Sequence, residues 1–252
     1  MTRLRFTLAA AVLLLVAQSS ASISPRIAII IDDLGYQLDA GKRAIELPGP
    51  LAYAILPDTP GSKRLAEFAH ERGKEVLLHL PLQAVEHDGP PEPGGLVLDM
   101  SRSGFSAAFA KAIDSVPFAI GVSSHRGSLL TRHPGHMGWL MEEISHRQNL
   151  FFIDSYTTHH SVALRMALEA GITATRRDVF LDHDRSPEAL VRELKRLKRL
   201  ARKRGKAVGI GHPYPETLDM LERELPGLER EGFVLVPISQ LIRPEPQQRN
   251  II

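Results

Sequence analysis

The chain has 252 residues, enough for one large α/β domain or two small ones, with 43 % hydrophobic and 24 % charged residues, ordinary for a soluble globular protein. It has 31 Lys and Arg against 29 Asp and Glu, and residues 1–21 hold two of those basic residues and no acid, so the remainder is balanced and no global basicity suggests a nucleic-acid partner. There is no cysteine, which excludes disulfides, thiolate ligands and a cysteine nucleophile; any catalytic metal would have to be held by His, Asp or Glu.

At the N-terminus, Arg3 and Arg5 precede an apolar run from about Leu8 to Ala17, closed by Gln18-Ser19-Ser20-Ala21. This is the plan of a signal peptide cut after Ala21, over a run too short for a comfortable transmembrane span. The expectation is a periplasmic or secreted domain over residues 22–242, with an uncleaved anchor as the alternative.

Arg26 to Asp33 reads Arg-Ile-Ala-Ile-Ile-Ile-Asp-Asp, a short β-branched run with the character of a strand buried on both faces. It ends in two adjacent carboxylates, which repel unless a cation or a proton separates them. A strand terminus with an Asp helix cap is the plain alternative. Gly35 to Leu47 reads as a loop and short helix, Leu51 to Leu56 as a second strand, and Ser62 as the cap of a helix that closes at Gly73. Lys74 to Leu80 is a third strand, containing His79 and stopping at Pro81. Glu86 to Leu96, with three prolines and three glycines, is the longest structureless stretch and the kind of loop that forms a functional rim.

Ser103 to Ser115 reads as a helix, Phe118 to Val122 as a strand, His136 to Asn149 as a helix and Leu150 to Ile153 as a strand ending at Asp154. Ser161 to Ala170 is helical, with Gly171 just past its end. Pro187 to Arg204 is the clearest helix, with Leu190, Leu194, Leu197 and Ala201 on one stripe and a crowd of Arg and Lys on the remaining face. That face is read as solvated, or as a weak contact with anionic lipid or polyanionic glycan. Ala207 to Gly211 and Phe233 to Pro237 are the last strands, with a helix from Pro215 to about Arg230 between them. Residues 243–252 read as a disordered tail. Alternating strands and helices predict about seven parallel strands, closed as an irregular (β/α) barrel or left as an open doubly wound sheet. No Gly-x-Gly-x-x-Gly or P-loop follows a strand, so a nucleotide fold has no support.

Polar residues collect at the C-terminal ends of these strands: Asp32 and Asp33, His79, His125, Asp154 and His212. In parallel α/β barrels active sites are built on that rim. An Asp with two His is a suitable set for a divalent metal that keeps a position open, zinc first, with cobalt or nickel as alternatives. Asp33, His79 and His125 are the candidate ligands, and their tips are expected within about 5 Å of one another. Asp32 is then the general base and His212 the general acid of a hydrolysis. Asp154 either orients a histidine, holds substrate or caps the Ser155-Tyr156 turn. A phosphoesterase is a further possibility, but it would need rim cations, for which only Arg126 and Arg177 are available.

Six segments occur in order: Asp32-Asp33; Gly73 to His79; Gly121-Val-Ser-Ser-His125-Arg-Gly-Ser128; Phe151-Phe-Ile-Asp154-Ser155; Arg177-Asp-Val-Phe-Leu-Asp182; and Gly209-Ile-Gly-His212-Pro213. Together they resemble the divergent polysaccharide deacetylase family, a branch of the NodB-type carbohydrate esterases, over about Arg26 to Ile242. The resemblance implies a distorted (β/α) barrel and metal-dependent removal of acetyl groups from N-acetylated sugars of a polysaccharide. It puts the base on Asp32, metal ligands on Asp33 and His79, and the acid on His212. Gln83 stands where the wider superfamily has the second histidine of His-x-x-x-His, and Ser124-His125-Arg126-Gly127 replaces its Arg-Pro-Pro-Tyr segment. His125 would supply the missing ligand and Arg126 the missing arginine. A barrel that lost full ligation and only binds glycan, or organises the envelope, is the alternative function.

Overall fold

Apolar β-branched runs become strands where the chain can bury both of their faces. In the computed structural model, which describes residues 24–86, 91–147 and 149–243, the first such run is β1 (Arg26–Leu34), followed by α1 (Leu38–Ile45), β2 (Ala52–Ile55), α2 (Ser62–Glu71) and β3 (Glu75–Leu82). Next come α3 (Arg102–Asp114), β4 (Ala119–Arg126), α4 (Pro134–Ser145), β5 (Phe151–Asp154), α5 (Ala163–Glu169) and two short strands, β6 (Ala174–Arg176) and β7 (Val179–Phe180). The order ends with α6 (Pro187–Arg204), β8 (Lys206–Gly211), α7 (Pro215–Glu224), β9 (Val234–Leu235) and α8 (Ile238–Ile242). Neither the expected leader nor the tail beyond Arg243 falls within the described residues, and none of the described helices is long and apolar enough to cross a membrane.

Every ladder is parallel, in the order β6-β5-β4-β3-β2-β1-β8-β7, with β9 beside the start of β1. The two strands at opposite edges, β6 and β7, are separated in the chain only by Arg177 and Asp178. Three Cα steps span at most about 11 Å, so the sheet must curl until its edges are neighbours. Arg177 N donates to Asp154 O beside one edge at 3.0 Å, and Asp178 N donates to Val208 O on the other at 3.0 Å. The fold is thus the curled (β/α) barrel, with a seam, and not an open doubly wound sheet.

Side-chain alternation divides the apolar residues into two cores. Ile27, Ile29 and Ile31 of β1 face the outer helices and join Leu65, Phe105, Phe109 and Leu197. Ala28 and Ile30 face the lumen and join Leu77, Phe151, Ile153, Val208 and Ile210. Ile238, Leu241 and Ile242 of α8 belong to this inner core, at the end where the strands begin. Gly121 has a steric reason: a Cβ there would lie 2.5 Å from the Phe151 ring that fills the lumen.

The structure adds two strands to the expected seven, β6 and β7, and the short helix α8. Three-residue, two-residue and five-residue elements are too short to carry a readable periodicity. The helix expected over Pro215 to Arg230 stops at Glu224, where Leu225-Pro226-Gly227 tightens into a 3-10 turn. Ser62 is not a helix cap: its Oγ accepts from Thr59 N and donates to Leu56 O, which fixes the turn between β2 and α2. On α6 the stripe Leu190, Leu194, Leu197 and Ala201 is buried, while most of the basic face is exposed; Lys198 is buried and donates to Glu231 at 2.7 Å.

Candidate active site

The inward column that is apolar at one end of the lumen becomes polar at the other. Two residues beyond Ile30 is Asp32, two beyond Leu77 is His79, two beyond Ile210 is His212, and Ser123 and His125 share one face of β4. Asp33 would point outward on a regular strand. Its φ of +62° and the register break between Ile31 and Leu34 in the β1–β2 pairing turn it back to the mouth. A positive φ in an aspartate is an uncommon, costly state of the kind that concentrates at functional sites.

Three atoms then meet. Asp33 Oδ1 lies 3.0 Å from His79 Nε2 and 2.8 Å from His125 Nδ1, and those two nitrogens are 3.1 Å apart. Asp33 Oδ1 is buried, and among the described residues these two close imidazole nitrogens are what face it. Three ligands on one ion at bonds of about 2.1 Å sit about 3.0 Å apart when octahedral and about 3.4 Å apart when tetrahedral. The triangle fits a shared divalent ion, and one carboxylate with two imidazoles suits zinc, cobalt or nickel. His79 is oriented from behind by Ser123 Oγ, 2.9 Å from its Nδ1. Burial works against the charge on Asp33, but the His125 and His79 imidazoles outweigh it and hold the carboxyl far below the usual range.

Asp32 flanks this triangle, with Oδ2 3.6 Å from His79 Nε2 and 3.5 Å from the donating Ser155 hydroxyl. It is 2 % exposed, its Oδ1 has no hydrogen-bond partner among the described residues, and burial raises its pKa. On the other side, His212 Nε2 lies 3.7 Å from Asp33 Oδ2. Its Nδ1 pairs with Asp182 Oδ1 at 2.9 Å, and Asp182 Oδ2 accepts from His212 N at 2.6 Å and from Thr217 Oγ1 at 2.8 Å. Burial opposes the imidazolium, but Asp182 outweighs it and raises the His212 pKa. The centre opens into a cleft of about 400 Å³ lined by Tyr36, Leu56, Glu92, Arg126, His212 and Tyr214 among others.

The five residues expected to form the metal and catalytic sets therefore come together. Of the three further candidates, Arg126 lines the cleft and bonds Glu92 Oε1 through Nε at 2.7 Å. Arg177 is one layer back, donating to Ser155 O and Tyr156 O, which holds the turn after β5, and Asp32 is foremost among the carboxylates whose charge acts on it. Asp154 does not join the site: strand parity sends Ile153 into the lumen and Asp154 to the other face, where it accepts from Tyr156 N and Ser161 Oγ as a turn cap. Burial raises its pKa. Gln83 accepts from Leu98 N with its side-chain oxygen, at 2.8 Å. Sequence reasoning missed Glu92, whose Oε2 is 3.1 Å from His125 Nε2. Its only signal was its place in the loop expected to form a rim. Asp182 carried a signal, as the last residue of Arg177-Asp-Val-Phe-Leu-Asp182, but its partner was not legible.

Residues 29–242 match the divergent polysaccharide deacetylase family. An uncharacterised Escherichia coli K12 protein, YibQ, is 35 % identical over 233 residues, which cover 92 % of this chain and 72 % of that protein. The crystal structure of an uncharacterised Agrobacterium tumefaciens C58 protein superimposes with a TM-score of 0.83 at 22 % identity, over 88 % of this chain and 91 % of that one. Two structures share the fold more distantly, each with a TM-score of 0.52. One is a mutant of a Bacillus anthracis CE4-family pseudoenzyme with restored activity, 15 % identical over 87 % of this chain and 68 % of that one. The other is the catalytic domain of a Eubacterium rectale peptidoglycan N-acetylglucosamine deacetylase, 12 % identical over 85 % and 88 %. By the match along 214 consecutive positions and the relative at 35 % identity, this chain belongs to the divergent polysaccharide deacetylase family.

Proposed function

We propose that the chain is a metal-dependent deacetylase that hydrolyses N-acetyl groups of an extracytoplasmic amino-sugar polysaccharide. The observation that carries this reading is the triangle of Asp33 Oδ1, His79 Nε2 and His125 Nδ1, with a buried carboxylate on one side and an imidazole on the other. A divalent ion bound there supplies Lewis acidity, polarising an acyl oxygen and making water a stronger acid. Asp32, desolvated and with one oxygen uncommitted, accepts a proton from the attacking water. His212 donates a proton from Nε2 to the departing sugar amine, while Asp182 keeps the proton on Nδ1 and supports the imidazolium. Tyr36 and Tyr214, both exposed at the cleft, offer ring faces to a sugar. A peptidoglycan-like glycan is the first substrate to try, because a structural neighbour acts on peptidoglycan N-acetylglucosamine. The leader read in residues 1–21 supports a periplasmic or secreted site of action.

Elemental analysis of the purified chain should find close to one zinc, cobalt or nickel per molecule, and Asp33→Ala and His79→Ala should lose it. Asp32→Asn and His212→Asn should retain the metal and lose acetate release from N-acetylated oligosaccharides by roughly 10²–10⁴-fold. A second reading, a degenerate glycan-binding barrel, is favoured by Gln83 at the expected ligand position. Wild-type chain that stays empty in metal-replete buffer, yet binds the glycan, would decide for that alternative.

A further inference from the structure

We propose that Glu92 is the positioning residue of this centre: its carboxylate holds the His125 ring so that Nδ1 faces Asp33 and His79. This rests on the Asp/His/His reading above. An imidazole at a barrel mouth can turn about two bonds, and a ring flip exchanges its nitrogens for its carbons. His125 is gripped on both edges. Nδ1 is 2.8 Å from Asp33 Oδ1 and 3.1 Å from His79 Nε2, while Nε2 is 3.1 Å from Glu92 Oε2. Glu92 accepts the Nε2 proton and commits that edge of the ring to the loop, which leaves the Nδ1 edge to the centre, where a bound metal would replace the proton that Asp33 attracts. The other Glu92 oxygen is held by Arg126 Nε at 2.7 Å, so the carboxylate is itself fixed.

Glu92 arrives on the loop between β3 and α3, and that loop is tied down on its far side. Leu96 N donates to Pro81 O at 2.9 Å, Gln83 N donates to Leu96 O at 3.0 Å, and Gly95 N closes a turn onto Glu92 O at 2.8 Å. The side-chain oxygen of Gln83 accepts from Leu98 N at 2.8 Å, and its backbone oxygen accepts from Leu129 N and Leu130 N. Leu96 is fully buried.

The glutamine four residues after His79, where a second ligand was expected, therefore anchors the loop that delivers Glu92. The two departures from the expected pattern are one arrangement. Residue 83 leaves the centre and fastens a loop, and that loop orients the histidine that the neighbouring strand contributes instead.

The full chain should be titrated with Zn²⁺ against a competing chelator, and the nitrogen by which His125 ligates the metal read by long-range ¹H–¹⁵N NMR of the Zn²⁺-loaded chain. Glu92→Ala should weaken Zn²⁺ binding by roughly 10–100-fold, and shift His125 from Nδ1 ligation to a mixture of Nδ1 and Nε2 ligation. Glu92→Asp should recover part of both, which a purely structural role of the loop does not require. Gln83→Ala should weaken binding by a smaller factor while touching no ligand. Wild-type affinity together with unchanged Nδ1 ligation by His125 in Glu92→Ala overturns the role of Glu92 and leaves the Asp/His/His centre standing. Failure of the wild type to bind Zn²⁺ overturns both.

Discussion

Asp32 and Asp33 are adjacent, yet their environments separate them. Burial raises the proton affinity of Asp32, while two imidazoles outweigh burial and keep Asp33 ionised. In the proposed reaction this separation suits two adjacent carboxylates to different tasks, one to exchange a proton and one to hold charge. Asp182 is as specific in its effect on His212, since it accepts three hydrogen bonds with its side chain wholly buried. Asp182→Asn places an amide N–H against one of those donors and favours the wrong tautomer. We expect acetate release to fall roughly 10²–10⁴-fold with metal content unchanged, whereas Thr217→Val should cost about 1 kcal/mol of stability and little turnover. Equal activity losses in both variants, measured alongside thermal unfolding, would count against a tautomer role. The five candidate residues that meet at the mouth were legible because each ends or follows an apolar run. Asp154 showed the same signal and left its role open; the turn cap among its alternatives is the one the structure has, because the end of a strand is readable while the face it presents depends on parity within the barrel.

At the scale of elements, helices dock onto the barrel through apolar stripes and are fastened to each other by a few ion pairs. Arg102 on α3 reaches Glu142 and Glu143 on α4, with Glu143 Oε1 2.8 Å away and also accepting from Ser106 Oγ. Burial resists the Glu143 charge, but Ser106 and Arg102 outweigh it and lower its pKa. A lowered folded pKa gives stability that is present above the unfolded value and lost as pH falls through the folded one. Glu143→Gln should therefore cost about 0.5 kcal/mol at neutral pH, and the difference should shrink once pH drops below about 4.5. Chemical denaturation at pH 7 and pH 3.5 checks this, and a constant difference would remove the charge from the explanation. The long strands and α6 were legible from period and length. The short β6, β7 and α8 were not, because they owe their existence to the seam and to the inner core that they complete.

The whole molecule is two apolar layers separated by one curled sheet, with the candidate site at the end of the lumen where the strands finish. Because α8 packs into the inner core at the opposite end, its contribution is to stability. Leu241 is 1 % exposed, and Leu241→Ala should destabilise the chain by about 2–5 kcal/mol. The metal content of the wild type should be preserved under conditions where the variant remains folded; parallel loss of metal would show that the two ends of the lumen are coupled.

By itself the sequence determined the alternation of strands and helices, the oxygen-and-imidazole character of any metal site, and which residues stand at strand ends. These are local properties, written within a few residues of each other. Tertiary structure decided the closure of β6 toward β7, the left-handed backbone that turns Asp33 inward, the exclusion of Asp154 and the delivery of Glu92 to His125. Each of these depends on which distant segments become neighbours, and burial and register set that only when the sheet has curled.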